Sequence, residues 1–175
     1  MATKKTSMFT LTERLTLSTV NTETFATIDL GSYVDVGDRQ ALQIHSVDYI
    51  FQGTAGSTTL VGTFGTDASE VQVQLTDLNR GGLVFTNDRA MVSSSRFLWA
   101  GTHADREADL YPDNFGKGSD DGRFVVNDQL YITGVVNDLV ANQACNVTVR
   151  VNASIVSLSA KDFMAIAIQS TAADN

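Results

Sequence analysis

From Cys145 to Ile155 the chain alternates apolar and polar residues without a break. Cys145, Val147, Val149, Val151, Ala153 and Ile155 share one face. Asn146, Thr148, Arg150, Asn152 and Ser154 share the other. Successive side chains of a strand point to opposite faces, so this segment is a strand with one dry and one wet side. Val71, Val73 and Leu75 repeat the pattern, as do Phe9 and Leu11 followed, after a phase shift, by Leu15 and Leu17. Phe25 to Leu30 is a shorter strand. Ala41 to Gln52 is a long one whose apolar residues change parity near His45 and Ser46, as an inserted bulge residue would make them do. Thr58 to Phe64, Leu83 to Phe85, Arg96 to Trp99, Phe124 to Val126, Leu130 to Val136 and Phe163 to Ile168 complete the expected strands.

Gly, Asn and Asp clusters separate these runs, among them Asn79-Arg-Gly-Gly82, Asp121-Gly122 and Asn127-Asp128. Such residues tolerate the backbone angles of turns. Leu130–Val136 and Cys145–Ile155 read as an antiparallel hairpin across a loop at 137–144. Val135, Val136, Leu139 and Val140 offer a single helical turn there as the alternative, and no longer window carries a helical stripe. Many short strands at this spacing predict an all-β fold, an antiparallel β-sandwich or barrel. No repeat or linker divides the chain, so residues 1–175 are expected to form one domain with extended tails at 1–7 and 170–175. The least regular stretch is 101–122, which holds the sole proline, Pro112, and reads as a long loop.

Composition narrows the class. A hydrophobic fraction of 43% supplies a packed core, and 12 basic against 20 acidic residues leave a formal charge of −8. That charge repels phosphate backbones, and Lys4 with Lys5 is no nucleic-acid-binding arm, so strong direct nucleic-acid binding is not expected. The longest fully apolar run, Phe163 to Ile168, is far short of a membrane span. The first residues show no export signal. Cys145 is the sole cysteine and reads as a small buried hydrophobe.

Candidate chemistry is sparse. His45 lies inside a strand and His103 opens the irregular segment, so no base stands beside a nucleophile or a metal-ligand partner. Ser93-Ser-Ser95 has no such neighbour in sequence, and no phosphate-binding glycine motif or hydrolase elbow occurs. An enzyme is not expected, nor is a cofactor. The carboxylates Asp105, Glu107, Asp109, Asp113, Asp120 and Asp121, with Asn114, suit calcium if any cation binds. They lack the spacing of an EF-hand, and a solvated loop is the plainer reading. Asn146-Val-Thr148 and Asn152-Ala-Ser154 match a glycosylation pattern but read as polar strand residues. Arg80, Arg89, Arg96 and Arg106, with Phe85, Phe97 and Trp99 nearby, would suit a rim of subunit contacts. The same set also reads as core aromatics beside solvated arginines.

The run of short strands with long connections, from about Phe9 to Ile168, resembles the single jelly-roll capsid proteins of tailless icosahedral viruses. That resemblance implies an eight-stranded jelly roll whose subunits tile through loops and edge strands into a shell, with no catalytic residues to carry over. It implies copies of the same chain and other virion proteins as partners, a place in the virion, and synthesis in the host cytoplasm. The chain departs from many such proteins in lacking an Arg-rich N-terminal arm. That points towards shells whose genome is packaged behind a membrane or by other proteins. A carbohydrate-binding or adhesive β-sandwich is the alternative, although its four tyrosines and one tryptophan are scattered. A cupin-like enzyme would need several clustered histidines around a metal.

Overall fold

The computed structural model describes residues 2–53, 60, 63–64, 68–100, 104–111, 122–140 and 142–172, with the backbone alone for 104–111 and 169–172. Among these, the strands are β1 (Thr3–Lys4), β2 (Phe9–Leu17), β3 (Thr24–Asp29), β4 (Gln40–Gln52) and β5 (Ser69–Thr76). They continue as β6 (Met91–Trp99), β7 (Ala104–Tyr111), β8 (Arg123–Val125), β9 (Gln129–Val136) and β10 (Cys145–Ser157), before one helix, α1 (Ala160–Ala172).

The pairing order defines the architecture. β2 pairs with β10, β3 with β9, β4 with β8 and β5 with β6, all antiparallel. The first half of the chain therefore meets the second half in reverse order, like one long two-stranded ribbon. Successive pairs along that ribbon fall in opposite sheets. β10 also pairs with β4, and β9 with β5, which closes each sheet into four neighbouring strands. Eight strands wound this way are a jelly roll. β1 extends the edge of β10 beyond the end of β2, and β7 adds an outer strand beside β6.

The two inner faces share one core. Leu15, Leu17, Leu42, Ile44, Val47, Val147, Val149 and Val151 come from one sheet, and Ile28, Val71, Val73, Leu75, Leu130 and Ile132 from the other. Val149 is fully buried, and burying a side chain of this kind stabilises by about 1.5–3 kcal/mol. The sheets approach so closely that a Cβ on Gly134 of β9 would lie 2.5 Å from Leu15 Cδ2 of β2. Where the chain enters β8, Gly122 has φ +114°, and a Cβ there would meet the Ile44 carbonyl oxygen at 2.7 Å. Only glycine fits that entry.

The bulge expected in β4 is present. Ser46 pairs with Asn152 and Ile44 with Ala153, which leaves His45 as the extra residue. Leu42 and Ile44 face the core before it and Val47 and Tyr49 after it. His45 Nε2 lies 2.9 Å from Ser154 Oγ.

Several expectations are corrected. β9 and β10 lie in opposite sheets, so they do not form a hairpin. β2 has no phase shift, because Phe9, Leu11, Glu13, Leu15 and Leu17 keep one parity and Glu13 simply takes an inward-phase position. Leu83 to Phe85 is loop. Residues 104–111, expected within a loop, are strand β7. Of 58–64 only Leu60, Thr63 and Phe64 are described, in a turn closed by Thr63 N–H donating to the Leu60 carbonyl. Phe163 to Ile168 is helix, and α1 runs on to Ala172, so the chain at 170–172 is helical rather than extended.

Helix α1 covers the outer face of the β10–β4–β8 sheet at one end. Phe163 packs there with Ala41, Val126, Val156 and Leu158 in a second cluster, flanked by Ile166 and Ala167. The wet face of β10 is therefore dry at this end, where Val156 rather than Ile155 is buried.

Candidate functional site

The connection between β5 and β6, residues 77–90, is the most elaborate loop among the described residues. Its base is closed by Asp77 N–H donating to the Ala90 carbonyl at 2.9 Å. Asn79 Oδ1 accepts from Gly81 N–H, an Asx turn that the left-handed φ of Gly81 completes. Arg80 bridges the loop to Asp88 at 3.1 Å, and Asp88 Oδ1 also accepts from Ala90 N–H. The Asp88 N–H donates to the Phe85 carbonyl, closing a turn at the tip.

Two side chains outside the loop hold its middle. Gln74 of β5, almost fully buried, donates from Nε2 to the Val84 carbonyl and accepts at Oε1 from Val84 N–H, both at 2.8 Å. Its amide thus satisfies the loop backbone as a neighbouring strand would. Glu23, just before β3, accepts from Leu83 N–H at 3.1 Å. Beside this clamped backbone stands Phe85, 87% exposed.

A polar cleft of about 630 Å³ opens on one side of the loop, lined by Asp77, Asn87, Arg89, Arg123, Asn127 and Ile166 among others. Arg123 Nη2 donates to Asp77 Oδ2 and to the Arg89 carbonyl, each at 2.6 Å. Asn127 Nδ2 donates to the Asp77 carbonyl. Burial pushes the Asp77 carboxyl above its ordinary value, against the opposing pull of Arg123 and Arg80. On the other side, a recess of about 460 Å³ lies between the loop and the outer face of β3 and β9, with Phe25, Thr27 and Tyr131 in its wall.

The expected contact residues divide. Arg80 and Arg89 belong to this loop, Arg80 paired and Arg89 exposed on the cleft wall. Arg96 pairs with Glu70 at 3.4 Å on β6 and β5. Trp99 sits with Phe64, ring centroids 6.5 Å apart, and packs with Phe97 against the core. Arg106 lies in β7 opposite Phe97, its side chain outside the described residues. Asp105, Glu107 and Asp109 alternate along β7 rather than circling a loop, and Asp113, Asp120 and Asp121, like His103 and Pro112, lie outside the described residues. Among the described residues no three His, Cys, Asp or Glu side chains converge. Asn146 and Asn152 are tied into the sheet, Asn146 donating to the Gly53 carbonyl and Asn152 to Ser46. No described helix is long and apolar enough to cross a membrane.

The roles of Glu23, Gln74, Asp77 and Arg123 had no signal in the sequence, since each depends on a partner that only the fold brings near. Asn79-Arg-Gly-Gly82 was legible as a turn, and Arg80, Phe85 and Arg89 of the loop as contact candidates. Chemically the arrangement is suited to recognition. Its backbone is pinned, Arg80 and Arg123 are held by Asp88 and Asp77, and a large phenyl ring is left in water.

No protein-family profile and no curated protein sequence matches the chain. Among solved structures, it is similar to VP1 of Trichodysplasia spinulosa-associated polyomavirus in complex with 3′-sialyllactose. There the identity is 10%, the match covers 89% of this chain and 96% of that one, and the TM-score is 0.46. It is likewise similar to the Merkel cell polyomavirus VP1 unassembled pentamer, at 8% identity, 90% and 98% coverage and a TM-score of 0.47. The jelly-roll assignment stands on this chain's own strand pairing.

Proposed function

We propose that the chain is a structural subunit that assembles with copies of itself into a virus capsid shell. The jelly-roll winding carries the reading, because this architecture serves capsid subunits, lectin domains and cupins, and the residues here favour the first. A cupin centre needs clustered histidines, whereas His45 is spent in a bulge against Ser154. Of the aromatics a lectin would use as platforms, Phe51, Phe64, Phe97 and the sole tryptophan, Trp99, pack together at the core, and Phe25, Phe85 and Tyr131 stay at the surface. What the surface offers instead is a set of large apolar side chains, including Val36, Phe85, Met164 and Ile168, each more than half exposed. A shell subunit would cover such side chains against its neighbours. The reading places the chain in the virion, with other virion proteins as further partners.

Sedimentation velocity and electron microscopy of the purified protein test it. Discrete oligomers or closed shells are expected. A strict monomer at high concentration, across salt and pH, would overturn it.

A further inference from the structure

Resting on that reading, we propose that Phe85 anchors a contact between two copies of this chain, each seating its ring in the other's recess beside Phe25 and Tyr131. Three observations carry the proposal.

The first is preorganisation. A phenyl ring at 87% exposure is costly to leave in water, yet the backbone beside it is fixed by the Gln74 amide, by Glu23 and by the turn from Asp88 to Phe85. An anchor whose backbone is already fixed has only its side chain left to order on binding, which favours a single aromatic residue as the centre of a contact.

The second is self-complementarity. Phe25 of β3 pairs in register with Thr133 of β9, Thr133 with Gln74 of β5, and Gln74 holds Val84. The backbone that carries Phe85 and the recess of about 460 Å³ therefore lie over the outer face of the same sheet. A projection and a cavity on one face allow two copies to exchange them about a two-fold axis.

The third is charge. The recess wall holds one charged side chain, Arg80, and Asp88 pairs with it, in a chain of formal charge −8. Two such chains repel each other across most of their surface. Neutral ground is where a second copy can approach, whereas a cationic partner would be drawn to the acidic remainder.

The test uses the full chain with Phe85→Ala, Thr27→Trp to fill the recess, and Gln74→Ala to loosen the loop. Association is read by sedimentation equilibrium and folding by thermal melting. Phe85→Ala should weaken self-association about thirtyfold while melting as the wild type does, the factor expected on truncating an anchor residue. Thr27→Trp should weaken it similarly, and Phe85→Trp should restore it. Gln74→Ala should weaken association with Phe85 still present. If the wild type assembles and Phe85→Ala assembles equally well, the anchor is wrong while the shell reading stands. A loss with Phe85→Ala but none with Thr27→Trp would overturn the recess as its receiver. A wild type that stays monomeric in every salt, yet binds a glycan array through Phe85, would overturn both this contact and the shell.

Discussion

Asp77 keeps its carboxylate almost out of water beside Arg123, and burial outweighs the arginine in setting its affinity for a proton. Its folded pKa lies above the ordinary value of about 3.9, so the folded state holds a proton that the unfolded chain has already released. Stability from this group is therefore lost as pH rises through that window and stays lower at neutral pH. His45 behaves oppositely. Burial, and then Lys4, lower its pKa, so its neutral form is the one the bulge accommodates. Acidification through the unfolded histidine value, about 6.5, costs stability. Thermal melts from about pH 4 to 7 should show Asp77→Asn losing part of the fall towards neutral pH. His45→Gln should lose part of the fall towards acid. Profiles parallel to the wild type would show that neither group titrates differently on folding.

At the scale of elements, strands with one wet and one dry face were legible because period-two alternation survives wherever a sheet covers only one side. The parity change at His45 even disclosed the bulge. The helix was missed although its start was written in the chain. Ser159 and Asp162 form a reciprocal cap, with Asp162 N–H donating to Ser159 Oγ and the Ser159 hydroxyl donating to Asp162 Oδ2 at 2.7 Å. Phe163, Ile166 and Ala167 then follow at helical spacing. The unbroken run Phe163 to Ile168 masked this, since Met164 and Ile168 are apolar on the exposed side and erase the stripe. Ser159→Ala should cost about 1 kcal/mol in denaturant unfolding, the usual loss for an N-cap. No change would mean that α1 is held by Phe163 packing alone.

At the scale of the molecule, the run of short strands disclosed a jelly roll, but which strands pair was not legible from local pattern. Neighbouring strands β9 and β10 looked like a hairpin, yet the core is closed by pairing β10 with β2, more than a hundred residues away. The same long-range closure brings Glu23, Gln74, Phe85 and Arg123 to one loop, so the site appears only once the ribbon is folded. Charge acts at this scale too. If copies meet on neutral ground, the opposing force is repulsion between chains of formal charge −8, and salt screens it. Self-association should therefore strengthen between about 0.05 and 0.5 M sodium chloride, as the screening length falls from above 10 Å to roughly 4 Å. A contact built on opposite charges would weaken over the same range. Sedimentation equilibrium at three salt concentrations separates the two. Weakening would place the contact away from Phe85, on a surface where unlike charges face each other.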